Sequence, residues 1–115
     1  MNSEATFDVS ETFRQGIPVL AVRGEIDVST APELRERLLA VAENGRSLVV
    51  VDLTDVSFVD STALGVLVSG VKRFRKGGGD LRLVVTRPHI SKVLEITGLN
   101  DVFVIRETVE DAVRV

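Results

Sequence analysis

Residues Ser47 to Leu53 read Ser-Leu-Val-Val-Val-Asp-Leu, a β-branched apolar run that does not alternate with polar residues. A strand that is apolar on both faces belongs in the middle of a sheet covered by helices. The flanking segments have a different period. Leu34, Leu38, Val41 and Ala42 before the run fall on one helical face, and so do Leu64, Leu67, Val68, Val71 and Phe74 after it. Strands alternating with amphipathic helices require right-handed crossovers and a largely parallel sheet.

The remaining segments extend this pattern. Phe7 and Val9 alternate with polar neighbours, which predicts an edge strand through Phe13. Gln15-Gly16 is a turn signal, and Ile17 to Val22 reads as a second strand ending at Arg23-Gly24, so the two form a hairpin. Pro18 sits near the start of that strand, where a missing donor is tolerated. Thr30-Ala31-Pro32-Glu33 has the form of a capping box that opens the first helix, and Asn44-Gly45 closes it. A second helix is expected from Ser61 to Lys76. Lys72, Arg73, Arg75 and Lys76 load its last turns with charge that suits the macrodipole. Gly77-Gly78-Gly79 follows and reads as a flexible turn, since it lacks the lysine and hydroxyl ending of a phosphate loop. Leu81 to Val85 is a fourth strand. Pro88 opens a third helix with Ile90, Val93, Leu94 and Thr97 on one side and Gly98 as its stop. Phe103 to Ile105 is a last strand, and Thr108 caps a terminal helix. The expected order is ββαβαβαβα, in one α/β domain over residues 1–115. It predicts a mixed, mostly parallel sheet of about five strands with about four helices, and a flexible N-terminus at 1–5.

Composition narrows the function. A chain of 115 residues fits one core. With no cysteine there is no disulfide scaffold, thiolate metal site or cysteine catalysis. A single histidine, His89, excludes a multi-histidine metal site, and its place after Pro88 reads as surface or capping. The net charge of −3 argues against nucleic acid as a partner. No apolar run approaches the roughly 18–20 residues of a membrane span, and Met1-Asn2-Ser3-Glu4 does not resemble a signal peptide. The expectation is a cytoplasmic, non-enzymatic binding domain that needs no metal or cofactor.

In parallel α/β sheets, functional loops lie at the carboxyl ends of the strands. Here these are Gly24–Thr30, Asp52–Ser61 and Thr86–Pro88, and the first two hold most of the unusual polar residues. Asp60-Ser61-Thr62 serves as a helix N-cap on its simplest reading. Three adjacent polar side chains exceed what a cap needs, and a hydroxyl at a helix N-terminus lies where a phosphate is accommodated. The other loop carries Glu25, Asp27 and Ser29 beside an apolar strand. Alternation there places Glu25 and Asp27 opposite Ile26, with Asp27 towards the Asp60 loop.

Two segments resemble the signatures of the anti-sigma factor antagonists, the stand-alone STAS domains. Gly24-Glu25-Ile26-Asp27-Val28-Ser29-Thr30-Ala31 is similar to the first. Val51-Asp52-Leu53 through Phe58-Val59-Asp60-Ser61-Thr62-Ala63-Leu64-Gly65 is similar to the second. The likeness extends to the element order and to Ile96-Thr97-Gly98-Leu99. It departs at Ala63, where the family most often has glycine, a change that bears on how closely a partner approaches the turn. The resemblance implies a partner-switching cycle. The unphosphorylated antagonist binds a GHKL-type anti-sigma factor that is also a serine kinase, which frees a sigma factor. The kinase uses ATP to phosphorylate the antagonist, and a PP2C-type phosphatase resets it. By position the acceptor is Ser61, with Thr62 a second candidate. The implied interface is Glu25, Asp27, Ser29, Asp60, Ser61, Thr62, Ala63 and Gly65, on a monomer or weak dimer. The main alternative is a STAS regulatory subunit of a transport or lipid-export complex. A Ser61 hydrolase would need a base, which His89 alone could supply, and no Gly-x-Ser-x-Gly elbow is present. A phospho-receiver using Asp52 or Asp60 would need a lysine that Thr86-Arg87-Pro88 lacks.

Overall fold

The computed structural model describes residues 7–114. The expected order is present. The elements are β1 (Asp8–Arg14), β2 (Ile17–Ile26), α1 (Ala31–Glu43), β3 (Leu48–Val59), α2 (Ser61–Lys76), β4 (Asp80–Val84), α3 (Pro88–Ile96), β5 (Val104–Arg106) and α4 (Val109–Ala112). A 3-10 turn, Leu99–Asp101, follows α3. The expected flexible segment 1–5 lies outside the described residues.

The strands lie in chain order, with β1 antiparallel to β2 and the other neighbours parallel. Each crossover from β2 to β5 therefore steps across the sheet in the same direction. Right-handed crossovers that step one way place their helices on one face. Accordingly, Leu34 and Leu38 of α1, Leu67 and Phe74 of α2, and Ile90 and Leu94 of α3 share a core with Leu20, Val22, Val49, Val51, Leu81 and Leu83. The opposite face is left to α4, which is not a crossover. Its Ala112, with Val113 just beyond it, packs on Val19, Val50 and Val84. Val49, Val50 and Val51 are each 0% exposed, so the β-branched run is covered on both sides. Arg82 fastens the C-terminal cover, its Nη1 donating to the carbonyls of Ala112 (2.9 Å) and Arg114 (2.6 Å).

Several boundaries differ from the sequence expectation. β2 runs to Ile26 and β3 to Val59, so most of the expected Asp52–Ser61 loop is strand. Val56 and Val59 face the core, but the alternation is broken by bulges. Ala21 pairs with Asp52 while Arg23 pairs with Asp55, and Gly24 pairs with Val56 while Glu25 pairs with Phe58. The extra residues fall in β3, where they bend and twist the strand. Thr97 is exposed and ends α3, its hydroxyl donating to the Val93 carbonyl at 2.8 Å. The expected Thr30–Glu33 capping box does not form: Thr30 has αR backbone angles and no side-chain cap bond.

Within the glycine triplet, Gly79 is held in a close approach to the Ser47 backbone. The Gly79 amide donates to the Phe74 carbonyl at 2.9 Å, and the next amide, Asp80, donates to the Ser47 carbonyl at 2.9 Å. A Cβ at Gly79 would lie 1.5 Å from that Ser47 oxygen, whereas at Gly77 its nearest neighbour is 3.6 Å away. Gly78 has φ +87° with open space around it. Three alanine substitutions should therefore rank by mechanism in chemical denaturation. Gly77→Ala should be near neutral. Gly78→Ala should cost about 1–2 kcal/mol from left-handed strain. Gly79→Ala should cost more than about 4 kcal/mol, because backbone itself must move. Equal losses at Gly77 and Gly79 would contradict the close approach.

Candidate functional site

Parallel pairing of β2 with β3 continues to the opposed residues Ile26 and Val59. One residue on, the Asp60 amide donates to the Ile26 carbonyl at 3.2 Å. The two polar loops thus leave the sheet side by side, which brings Asp27 next to Asp60 along the chain path.

Asp60 is the N-cap of α2, in extended conformation, with its Oδ1 accepting from the Ala63 amide at 2.9 Å. Ser61 and Thr62 occupy the first two helical positions and are exposed. Amides at these positions have no intrahelical acceptor, so the Ser61 hydroxyl stands in a weakly positive field. Ala63 is 0% exposed, so its methyl belongs to the core and only its amide serves the turn. Of the residues expected at an interface, Ala63 is thus the one whose side chain is turned inward. Gly65 is exposed on the second turn, with open space where a Cβ would stand.

The other loop is built around Asp27. Its Oδ1 accepts from the Ser29 hydroxyl (2.7 Å), the Ser29 amide (2.9 Å) and the Thr30 amide (3.1 Å). Its backbone carbonyl accepts from Thr30 (3.1 Å) and Ala31 (2.7 Å), and this caps α1 in place of the expected box. The Thr30 hydroxyl faces back into the turn, 2.8 Å from both the Asp27 amide and the Glu25 carbonyl. Bonding from the Ser29 hydroxyl, then from the Ser29 amide, holds the Asp27 carboxyl below the ordinary aspartate value of 3.8; Thr30 adds to this and slight desolvation opposes it. Glu25 projects outward while Ile26 is 0% exposed, as alternation requires. Asp27 lies past the strand end and turns onto its own loop.

Two apolar side chains beside the polar loops escaped the sequence reading. Val28 is 71% exposed and Phe58, paired with Glu25, is 46% exposed. The signal was an apolar residue at an outward position, which alternation reveals only once the bulge at Ser57 is known. His89 is exposed, as expected, and its Nε2–H donates to the Ser57 carbonyl at 2.7 Å. Among the described residues no group of three acidic, histidine or cysteine side chains could hold a metal, and no helix is long and apolar enough to cross a membrane.

The STAS domain family model matches residues 9–112. This chain belongs to the STAS domain family. Over 93 residues it is 43% identical to the anti-sigma-B factor antagonist of Bacillus subtilis, covering 81% of this chain and 84% of that protein. The Staphylococcus aureus anti-sigma-B factor antagonist is 37% identical over 89 residues, covering 77% and 82%. The crystal structure of an anti-sigma factor antagonist from Mycobacterium paratuberculosis superposes with a TM-score of 0.85 at 30% identity, covering 93% of this STAS domain and 91% of that chain. The relatives are thus regulatory antagonists rather than enzymes by name.

Two tests address how this STAS domain builds its loops. Asp60→Ala should lower stability by about 1 kcal/mol in urea denaturation, as for other lost N-caps. Asp60→Asn, which keeps an acceptor, should lose only a fraction of that, and equal losses would refute capping by this carboxyl. For Asp27, a carboxyl held low in the folded state stabilises the loop fully above the ordinary aspartate value. That contribution disappears as pH falls through the lowered one. A carboxyl-detected NMR titration should place its midpoint below 3.8; a midpoint above that value would overturn the loop geometry.

Proposed function

We propose that this STAS domain is a cytoplasmic anti-sigma factor antagonist switched by phosphorylation of Ser61. The observation that carries the reading is an exposed serine at the first position of α2, capped by Asp60 and flanked by a second acidic loop. The names of its relatives support the coarser part, antagonism of an anti-sigma factor. The finer part rests on the resemblance and on physical argument. The unphosphorylated surface, with Phe58 and Val28 as apolar anchors and Glu25, Ser29, Asp60 and Thr62 around them, docks a GHKL-type anti-sigma factor that is also a serine kinase. The domain holds no cofactor of its own, since ATP is bound by the kinase. A PP2C-type phosphatase restores the hydroxyl, and the domain acts as a monomer or weak dimer.

Phosphate at Ser61 adds roughly −1.5 to −2 charges at neutral pH. Exposure at the first turn lets it point into water without disturbing the core. In the complex it would be desolvated against a surface built for a hydroxyl. A mismatch of about 1.4 kcal/mol is already tenfold in affinity, and an uncompensated interfacial charge costs about 2–5 kcal/mol.

The test is a pull-down from the native cytosol with the wild-type chain and a Ser61→Glu variant, followed by ATP labelling of the captured complex. Wild type should recover a serine kinase that Ser61→Glu binds at least tenfold more weakly. Label should enter wild type and Thr62→Ala but not Ser61→Ala. Capture of transport-complex subunits, indifferent to Ser61→Glu, would replace this function with that of a transport or lipid-export subunit. Label retained in Ser61→Ala but lost in Thr62→Ala would move the acceptor to Thr62.

A further inference from the structure

β3 outruns its neighbour. Pairing with β4 ends at Asp52 opposite Val84, so among the described residues one edge of β3 has no strand beside it from Leu53 to Val59. The same stretch carries both bulges, and their extra residues include Thr54 and Ser57. A bulged residue is left out of the ladder, and its backbone groups must find other partners. Both carbonyls find theirs in one place, at the start of α3. Arg87 Nε donates to the Thr54 carbonyl at 3.0 Å, and His89 Nε2 donates to the Ser57 carbonyl at 2.7 Å. These are ordinary hydrogen-bond lengths for strong donors. Asp52 secures the first bulge from within, its Oδ1 accepting from the Thr54 amide (3.0 Å) and hydroxyl (2.6 Å). Arg87 is the N-cap residue of α3 and His89 lies in its first turn, so the donors are fixed by a helix whose Ile90 and Leu94 are 1% exposed.

We propose that Arg87 and His89 are positioning residues that clamp the two β3 bulges and so set the direction of the Asp60–Ser61 turn. The turn begins three residues beyond the second clamp, at Asp60. The inference concerns the shape of the site and rests on the function proposed above only for its consequence in phosphorylation. With the clamp released, the overhang samples unpaired conformations, and a smaller fraction of molecules presents Ser61 correctly. A reduced competent fraction weakens apparent affinity without altering the bound complex.

The experiment uses the full chain, labelled with 15N, as wild type, Arg87→Ala, His89→Ala, the double variant and His89→Gln. The first readout is hydrogen exchange at the Asp60 amide, whose acceptor is the Ile26 carbonyl. It should accelerate about fivefold in each alanine variant, the worth of one hydrogen bond, and more in the double variant. The thermal midpoint should fall by only a few degrees per bond lost, and exchange at Asp60 should stay nearly independent of low urea, which marks a local opening. His89→Gln, which keeps a side-chain N–H donor, should return exchange towards the wild-type rate. The second readout is steady-state phosphorylation by the kinase captured above, in which KM should rise in the double variant by the reciprocal of the fraction that stays closed, with kcat little changed. Unchanged Asp60 exchange in the double variant would overturn the proposal. So would a steep urea dependence of exchange at Asp60, which would mark global unfolding, or failure of His89→Gln to rescue. If exchange responds as expected but no kinase labels the wild type, the clamp stands and the switch function falls.

Discussion

The site depends on the pairing of β2 with β3 beyond the point where β4 has ended. That extension ends at the bond from the Asp60 amide to the Ile26 carbonyl, which places one acidic loop against another. Neither loop could hold its position alone. Asp27 folds its loop by gathering the Ser29 and Thr30 donors, and Asp60 folds its own by capping α2. Each solves a local problem of unsatisfied amides at a helix start. The strand pairing turns two local solutions into one surface, because parallel strands release their chains at the same edge of the sheet.

The topology divides the work between the faces. Stepping always in one direction, the crossovers pack three helices on one side and give the chain a continuous core there. The other side is closed by α4 and by the carbonyls that Arg82 gathers. Because α2 belongs to the heavily packed side, Ala63 and Leu67 anchor its first turns at 0% exposure while Ser61 and Thr62 remain outside. The Ser61 hydroxyl is therefore mounted on a rigid helix start. A modification there would act on what docks, not on how the chain folds.

Much of this was legible in the sequence. Val49-Val50-Val51 announced a covered central strand, the helical stripes announced the crossovers, and Asp60 announced a cap. What was not legible has a common cause. Bulges at Leu53–Thr54 and at Ser57 broke the period of two, so the far half of β3 read as a loop and Phe58 lost its outward assignment. The Thr30 box failed because Asp27, earlier in the chain, had taken the capping role through both its side chain and its carbonyl. Gly77-Gly78-Gly79 looked like slack because a pattern of glycines does not show what lies opposite them. The Ser47 carbonyl lies there, thirty-odd residues away in the chain. The same blindness hid His89, whose partner is a backbone carbonyl on another element.

Magnitudes decide how a phosphate at Ser61 would behave on such a surface. The start of α2 offers the equivalent of about +0.5 charge, and the phosphate brings roughly −1.5 to −2. The helix therefore cannot neutralise it. No ion pair among the described residues involves Glu25, Asp27 or Asp60. The carboxylates of Asp27 and Asp60 are also fixed in place, since releasing either would undo the loop or the cap that it builds. A phosphate would add to a negative field that the protein cannot rearrange. In water this costs little, because solvent and salt screen exposed charges over about 8–10 Å. Inside an interface that screening is lost, and repulsion that was tolerable on the free surface weighs fully against the complex. An exposed hydroxyl beside a structurally committed carboxylate would thus switch affinity on modification while leaving the fold unchanged.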